Sequence, residues 1–174
     1  CAVGLMAALP GRTLAQEIDS LDIFVPAAPG GGWDQTARVM DQILRREGLI
    51  DSARITNVGG AGGTIGLPQF INQYSGEGTA LMTGGMVMIG AIITNNAAVD
   101  LTMVTPIARL TGEYITIVVP AASEIQDMNG LVAMLKENPG SVSWAGGSAG
   151  GSDHMLAGLV AQAVGVDPLA LSYV

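Results

Sequence analysis

Residues 21–34 read Leu-Asp-Ile-Phe-Val-Pro-Ala-Ala-Pro-Gly-Gly-Gly-Trp-Asp. An apolar run stops at Pro26, three glycines follow Pro29, and beyond Asp34 the residues Ala37, Met40 and Leu44 recur at i, i+3 and i+7 beside Val39 and Ile43. The first part has the composition of a buried strand and the last the period of an amphipathic helix, so the glycines lie at a strand-to-helix junction. The same succession returns three times. Residues 55–58 lead into Gly59-Gly60-Ala61-Gly62-Gly63, residues 80–82 into Gly84-Gly85, and residues 142–145 into Gly146-Gly147-Ser148-Ala149-Gly150-Gly151. Glycine lets main-chain N–H groups approach a ligand closely, and a helix N-terminus presents unpaired donors carrying partial positive charge. Repeated junctions of this kind point to a small anionic ligand.

Working outward, the pattern predicts strands at 21–26, 54–58 and 79–83, with helices at 34–46, 64–72 and 87–94 between and after them. Arg38, Asp41, Gln42 and Arg45 form the wet face of the first helix. Residues 102–120 differ: two β-branched runs lie between Pro106 and Pro120, separated by Thr111-Gly112-Glu113, and read as a crossover. A second unit then begins with a helix at 127–138, capped by Asp127 and stopped by Pro139-Gly140. It continues with a strand at 142–145 and a helix at 152–164. Met155, Leu156, Leu159, Val160 and Ala163 share one face of that helix, Gly165 ends it, and a strand opens at 171–174. Alternating strands and helices predict an α/β fold with mainly parallel sheets, in two lobes. Residues 17–110 form the first lobe, and residues 111–174 the crossover and an incomplete second lobe. Ligands of such sheets bind at the carboxyl ends of the strands.

Composition limits the function. The 174 residues carry 7 Lys and Arg against 15 Asp and Glu, a formal charge of −8, which argues against nucleic acid or an anionic membrane surface as partner. Any anion is therefore held by local dipoles against the overall field. One cysteine, Cys1, and one histidine, His154, do not supply an ordinary zinc site or an internal disulfide. No metal or cofactor is expected. Residues 1–16 are apolar and rich in small residues, and Thr13-Leu14-Ala15 before Gln16-Glu17 has the pattern of a signal-peptidase site, so these residues read as the remnant of a signal peptide. A lipidated Cys1 is the second reading. Export to the periplasm follows from either.

The candidate site residues lie in the glycine loops. Gly30, Gly31 and Gly32 leave N–H groups to wrap an anion, Trp33 supplies an apolar wall, and Asp34 sits where a helix N-cap belongs. The loop at 59–63 lacks the Lys-Ser/Thr of a phosphate-binding P-loop, and no stretch satisfies G-x-G-x-x-G, so nucleotide binding has no support. Residues 146–150 do match G-x-S-x-G, which makes a serine hydrolase with Ser148 as nucleophile the alternative function. Its weakness is His154, only six residues beyond Ser148 and on the next predicted helix, where the imidazole cannot easily return to the serine. As hydrogen-bond donors, Ser148 and Ser152 suit a carboxylate. His154 reads first as a capping or packing residue and second as a ligand contact; Arg109 reads as a surface residue. The nine methionines are dispersed and read as core filling.

Pro26-x-x-Pro29-Gly30-Gly31-Gly32-Trp33-Asp34, Gly60-Ala61-Gly62-Gly63, Thr105-Pro106-Ile107-Ala108, Asn138-Pro139-Gly140, residues 147–154 and Ser172-Tyr173-Val174 resemble, in order and spacing, the solute-binding proteins of tripartite tricarboxylate transporters, the Bug-type receptors. With Val166-Asp167-Pro168, the likeness is best to the tricarboxylate branch. The resemblance implies a two-lobed periplasmic binding protein of type II fold, a monomer without enzymatic activity. It would clamp a tri- or dicarboxylate such as citrate and deliver it to integral membrane permease subunits. It also implies which loops grip the ligand: Gly30, Gly31, Gly32, Trp33 and Asp34; Ala61, Gly62, Gly63 and Thr64; and Ser148, Ala149, Gly151 and Ser152.

Overall fold

A computed structural model of the protein describes residues 18–174; the leader expected at residues 1–16 lies outside the described residues. The chain runs β1 (Ser20–Val25), α1 (Gly32–Arg46), β2 (Ser52–Asn57), α2 (Gly66–Tyr74), β3 (Ala80–Met82), α3 (Met86–Thr94), α4 (Met128–Glu137), β4 (Ser143–Trp144), α5 (Ser152–Ala163) and β5 (Ser172–Tyr173). Two parallel sheets result, one of order β2-β1-β3 and one pairing β4 with β5. None of the described helices is long and apolar enough to cross a membrane.

The first sheet is organised about β1. Ile23 stands beside Ile55 on one flank and Leu81 on the other. Leu21, Ile23 and Val25 project to one face and pack with Ala37 and Ile50, while Met40 and Leu44 of α1 cover the cluster. Val39 and Ile43, grouped with them on periodicity, are exposed. Phe24 projects to the opposite face, where its ring lies 5.7 Å from Phe70 and 6.2 Å from Tyr74 of α2. A strand buried on both faces needs the continuous apolar run that 23–25 provides. At the end of β1, α2 comes down directly on the chain: a Cβ on Gly66 would lie 2.8 Å from Pro26 Cβ and 3.1 Å from Phe24 Cε1. Gly66→Ala is therefore expected to lower stability by about 1–3 kcal/mol through overpacking, measured by thermal or urea denaturation. An unchanged midpoint would show that α2 can slide along the sheet without cost.

In the second unit the expected caps are present. The Asp127 carboxylate accepts from Gly130 N–H at 2.8 Å to start α4, whose Leu131 and Leu135 are buried one turn apart. Gly165, at φ +77°, ends α5; Gly165 N–H donates to Gln162 O and Val166 N–H to Ala161 O, satisfying the last carbonyls. The buried face of α5 is not the one expected. Ala157 and Ala161 are enclosed, whereas Met155 and Leu159 are exposed, and the Pro168–Ala170 turn packs on the helix beside Gly158. Residues 104–120 form no helix or strand and expose Ile107, Leu110, Tyr114 and Val118.

The order β2-β1-β3 positions the site. From β1 the chain crosses by α1 to one side, then returns by α2 to the other, so the loops after β1 and β3 part at the carboxyl ends of neighbouring strands. That gap is where parallel α/β sheets bind ligands.

Candidate functional site

A cavity of about 370 Å³ opens at this gap. The turn after β1 supplies Pro26, Ala27 and Ala28, α1 supplies Gly32 and Trp33, and the loop after β2 supplies Gly60, Ala61, Gly62 and Gly63. Val87 of α3, Ser148 of the second unit and Glu113 of the irregular segment complete the wall. A larger and more open depression, about 770 Å³, lies by the last turns of α1 among Asp41, Arg45, Arg46 and Asp51. No glycine loop reaches it and its arginines are exposed, so the smaller cavity is the candidate.

The loop at 60–63 is built from backbone alone. Its φ angles are +128°, +47°, +64° and +95°, four consecutive residues in the left-handed half of the map. Ala61 pays for that geometry with strain of about 1 kcal/mol or more, of the kind that collects at ligand clamps. Glycine is required at 62 and 63 for packing as well: a Cβ on Gly62 would lie 2.5 Å from Ala91 Cβ, and one on Gly63 2.7 Å from Met88 Cε. The Trp33 indole fills the space between two glycines. A Cβ on Gly63 would lie 3.2 Å from Trp33 Cζ3, and one on Gly85 3.1 Å from Trp33 Nε1. Trp33 thus forms a wall fixed by absent side chains on both neighbours.

Two first-turn acids tie the glycine loops down. In α1 the N-cap is Gly31, with no side-chain cap, and Asp34 lies three residues further in. The expectation that Asp34 is the N-cap is corrected: the extended backbone of Gly31 lets the helix begin earlier. The Asp34 carboxylate reaches back to accept from Gly30 N–H at 2.8 Å, and from Arg38 Nε at 2.9 Å and Asn57 Nδ2 at 3.0 Å. Asn57 also donates to Ala27 O, so the carboxylate joins α1, β2 and both ends of the turn. It is 1% exposed. The hydrogen bonds from Arg38, Gly30 and Asn57 and the Arg38 charge hold its pKa well below the usual carboxylate range, against the opposing effect of burial. In α5 Asp153 does the same for its loop, accepting from Gly147 N–H at 2.7 Å. The Tyr173 hydroxyl donates to Gly147 O; burial first, then the Asp153 charge, raises its pKa and keeps it a donor.

Of the residues expected at the site, Gly32, Trp33, Ala61, Gly62, Gly63 and Ser148 meet in the cavity. The Gly30 amide is committed to Asp34. Thr64 turns its hydroxyl back to Ala61 O at 2.8 Å, and Gly151 N–H donates to Ser148 O at 2.8 Å. Gly31, Ala149 and Ser152 flank the wall without forming it. His154 is a packing residue: its Nδ1 accepts from Gly150 N–H at 3.0 Å, and its ring stacks on Tyr173 at 4.2 Å. It makes no hydrogen bond to Ser148, and α5 begins four residues after that serine, so the sharp nucleophile turn of a hydrolase is not formed. Val87 was signalled by the Gly84-Gly85 junction; Glu113 had no signal, since its place depends on the path of an irregular segment.

Beside the side chains of Trp33, Glu113 and Ser148, the wall offers main chain. The amides of Gly32 and Trp33 in α1, and of Met86 and Val87 in α3, precede the first intrahelical bonds and have no partner within their helices. They carry the positive ends of two helix dipoles to the wall.

A parallel α/β unit whose glycine-rich junctions converge beside a second such unit is the architecture of a type II periplasmic-binding-protein-like fold. Residues 36–174 match the family described as "Tripartite tricarboxylate transporter family receptor", and the chain belongs to that family, whose members include the Bug-type receptors. It is 27% identical, over 97% of its length and 52% of the relative's, to the "UPF0065 protein in tcbD-tcbE intergenic region" of a Pseudomonas species. Two solved structures share the fold. One described as "Structure of a periplasmic transporter" superposes with TM-score 0.62 at 24% identity, over 92% of this chain and 53% of its own. The other, "Structure of periplasmic binding protein BugD", superposes with TM-score 0.56 at 22% identity, over 89% of this chain and 51% of its own. The chain spans about half the length of the relatives it matches.

Proposed function

We propose that this protein captures a small carboxylate, of the di- and tricarboxylate class that includes citrate, in the periplasm and presents it to the membrane permease of a tripartite tricarboxylate transporter. The observation that carries this reading is the meeting of Gly32, Trp33, residues 60–63 and Ser148 at one cavity. Family membership supports the receptor role. The cavity has the size of a small-molecule site, and among the described residues its wall carries glycine main chain and Ser148, with Glu113 as the charged side chain. A ligand carboxylate would accept from the α1 and α3 amides, with Ser148 donating from the second unit. Closure of the two units about residues 102–120 would then exclude water and strengthen each charge-assisted bond. Binding is monomeric and needs no cofactor.

A thermal-shift screen of carboxylic acids on the full-length protein, followed by calorimetry, tests the proposal; absence of binding by every di- and tricarboxylate removes it. Ser148→Ala is expected to weaken the ligand about tenfold to a hundredfold, the effect of losing one hydrogen bond to a charged acceptor. A p-nitrophenyl ester assay on both proteins separates the serine-hydrolase alternative. Serine-dependent turnover with unchanged carboxylate affinity would decide for the hydrolase.

A further inference from the structure

We propose that His154 is a positioning residue for Ser148: as neutral imidazole it holds the 146–151 loop so that Ser148 meets the cavity, and on taking up a second proton it lets the loop go. The inference rests on the carboxylate-receptor reading for the part Ser148 plays, and adds the condition under which Ser148 can play it. Ser148 lies between two tethered residues. On one side is Gly147, whose N–H donates to Asp153 at 2.7 Å and whose carbonyl accepts from the Tyr173 hydroxyl at 3.0 Å. On the other, Gly150 N–H donates to His154 Nδ1 at 3.0 Å, and the stack of the imidazole on Tyr173 sets the ring for that bond. Gly151 N–H closes the turn on Ser148 O at 2.8 Å. Gly150, at φ +77°, has no side chain of its own to restrain it, and it is also where the second unit touches α3, since a Cβ on it would strike Thr94 Oγ1. His154 therefore holds both the loop that carries Ser148 and the contact between the units.

The bond fixes a protonation state. A backbone N–H can only donate, so Nδ1 is the bare nitrogen and the proton of the neutral ring sits on Nε2. In imidazolium both nitrogens are donors, and no rotation of the ring returns an acceptor to Gly150. The added charge also stands in the first turn of α5, at the positive end of the helix dipole. Imidazole is the side chain that ordinarily takes up its proton between about pH 8 and 5, so the loop is expected to be held at the upper end of that range and released at the lower. The titratable groups nearby do not replace it. The Tyr173 hydroxyl and the Asp153 carboxylate are committed to Gly147, Asp167 in the turn packed on α5 accepts from Leu169 N–H, and α3 carries no titratable residue over Met86–Thr94.

The full-length protein tests this without and with a ligand. His154→Asn offers a carbonyl oxygen in place of Nδ1 and does not titrate; His154→Phe keeps an aromatic ring to stack on Tyr173 but has no acceptor. Thermal midpoints at about pH 8 show that each variant is folded. By NMR, the amide resonance of Ser148, which makes no hydrogen bond to the ring, is expected to move between about pH 8 and 5 in the wild-type protein and to stay in place in His154→Asn. By calorimetry with citrate and with succinate, wild type is compared with His154→Asn at the same pH, which cancels the titration of the acid itself. The two are expected to match at about pH 8 and wild type to bind about tenfold more weakly at about pH 5, while His154→Phe is about tenfold weaker at both. A Ser148 resonance that does not move in wild type, or a ratio to His154→Asn that is the same at both pH values, overturns the proposal. If neither acid binds any of these proteins, the receptor reading loses them as ligands, and the Ser148 resonance alone decides whether His154 holds the loop.

Discussion

Asp34→Ala is expected to lower the thermal midpoint on the order of 10 °C and to abolish measurable ligand binding. The substitution leaves the Arg38 guanidinium, the Gly30 amide and the Asn57 amide without their shared acceptor, and the turn at 26–31 loses its anchor. Asp34→Asn separates charge from shape: it retains an acceptor for Gly30 but sets an amide against Arg38. The pH dependence follows from the same geometry. The folded-state pKa of Asp34 lies below its ordinary value, so its stabilisation is complete above the unfolded-state pKa of about 4 and is lost as pH falls from there through the folded-state pKa. Acid titration of stability should show a descending limb below about pH 4 that is shallower in Asp34→Asn. Equal limbs in the two proteins would assign acid unfolding to other carboxylates.

The second large effect is expected at Gly90. In the middle of α3 this residue faces Gly150, and a Cβ placed on it would overlap the Gly150 carbonyl oxygen; a Cβ on Gly150, at φ +77°, would in turn strike Thr94 Oγ1. Two glycines at the contact let a helix of the first unit touch the loop that carries Ser148. Gly90→Ala should force α3 and that loop apart at a cost of about 1–3 kcal/mol, withdrawing Ser148 from the cavity and weakening the ligand at least as much as Ser148→Ala. Gly158→Ala is the control. Its Cβ would meet Pro168 at an ordinary 3.8 Å, and exchanging glycine for alanine within a helix should be neutral or stabilising by about 0.5–1 kcal/mol. Equal behaviour of the two variants would deny the contact its role.

Much of this architecture can be read before folding, and the reasons are local. The strand at 20–25 and the helix after it are marked by an apolar run, three glycines and a 3.6-residue period; Asp127 and Gly165 announce a helix start and a helix end through their own backbone chemistry. Asp34 was legible as a helix-start acid but not as the centre of a network, because Asn57 lies 23 residues away and meets it only when β2 pairs with β1. The buried face of α5 does not follow the larger apolar residues because 155–161 offers apolar side chains in several directions and no unique stripe, and the enclosed pair is Ala157 and Ala161. Glu113 stayed hidden because irregular chain has no period from which to infer what it faces.

The loop at 60–63 presents no side chain larger than a methyl group. The surface it offers to the cavity is therefore encoded in torsion angles, and random mutation there mostly destroys it instead of modifying it. Glu113 and Ser148, which are not among the nearest neighbours of its glycines, carry side chains that can be exchanged without displacing them. The wall separates a part that can only be kept from a part that can drift, so the chemistry of its rim can change by substitution while the backbone geometry of the loop is inherited unchanged.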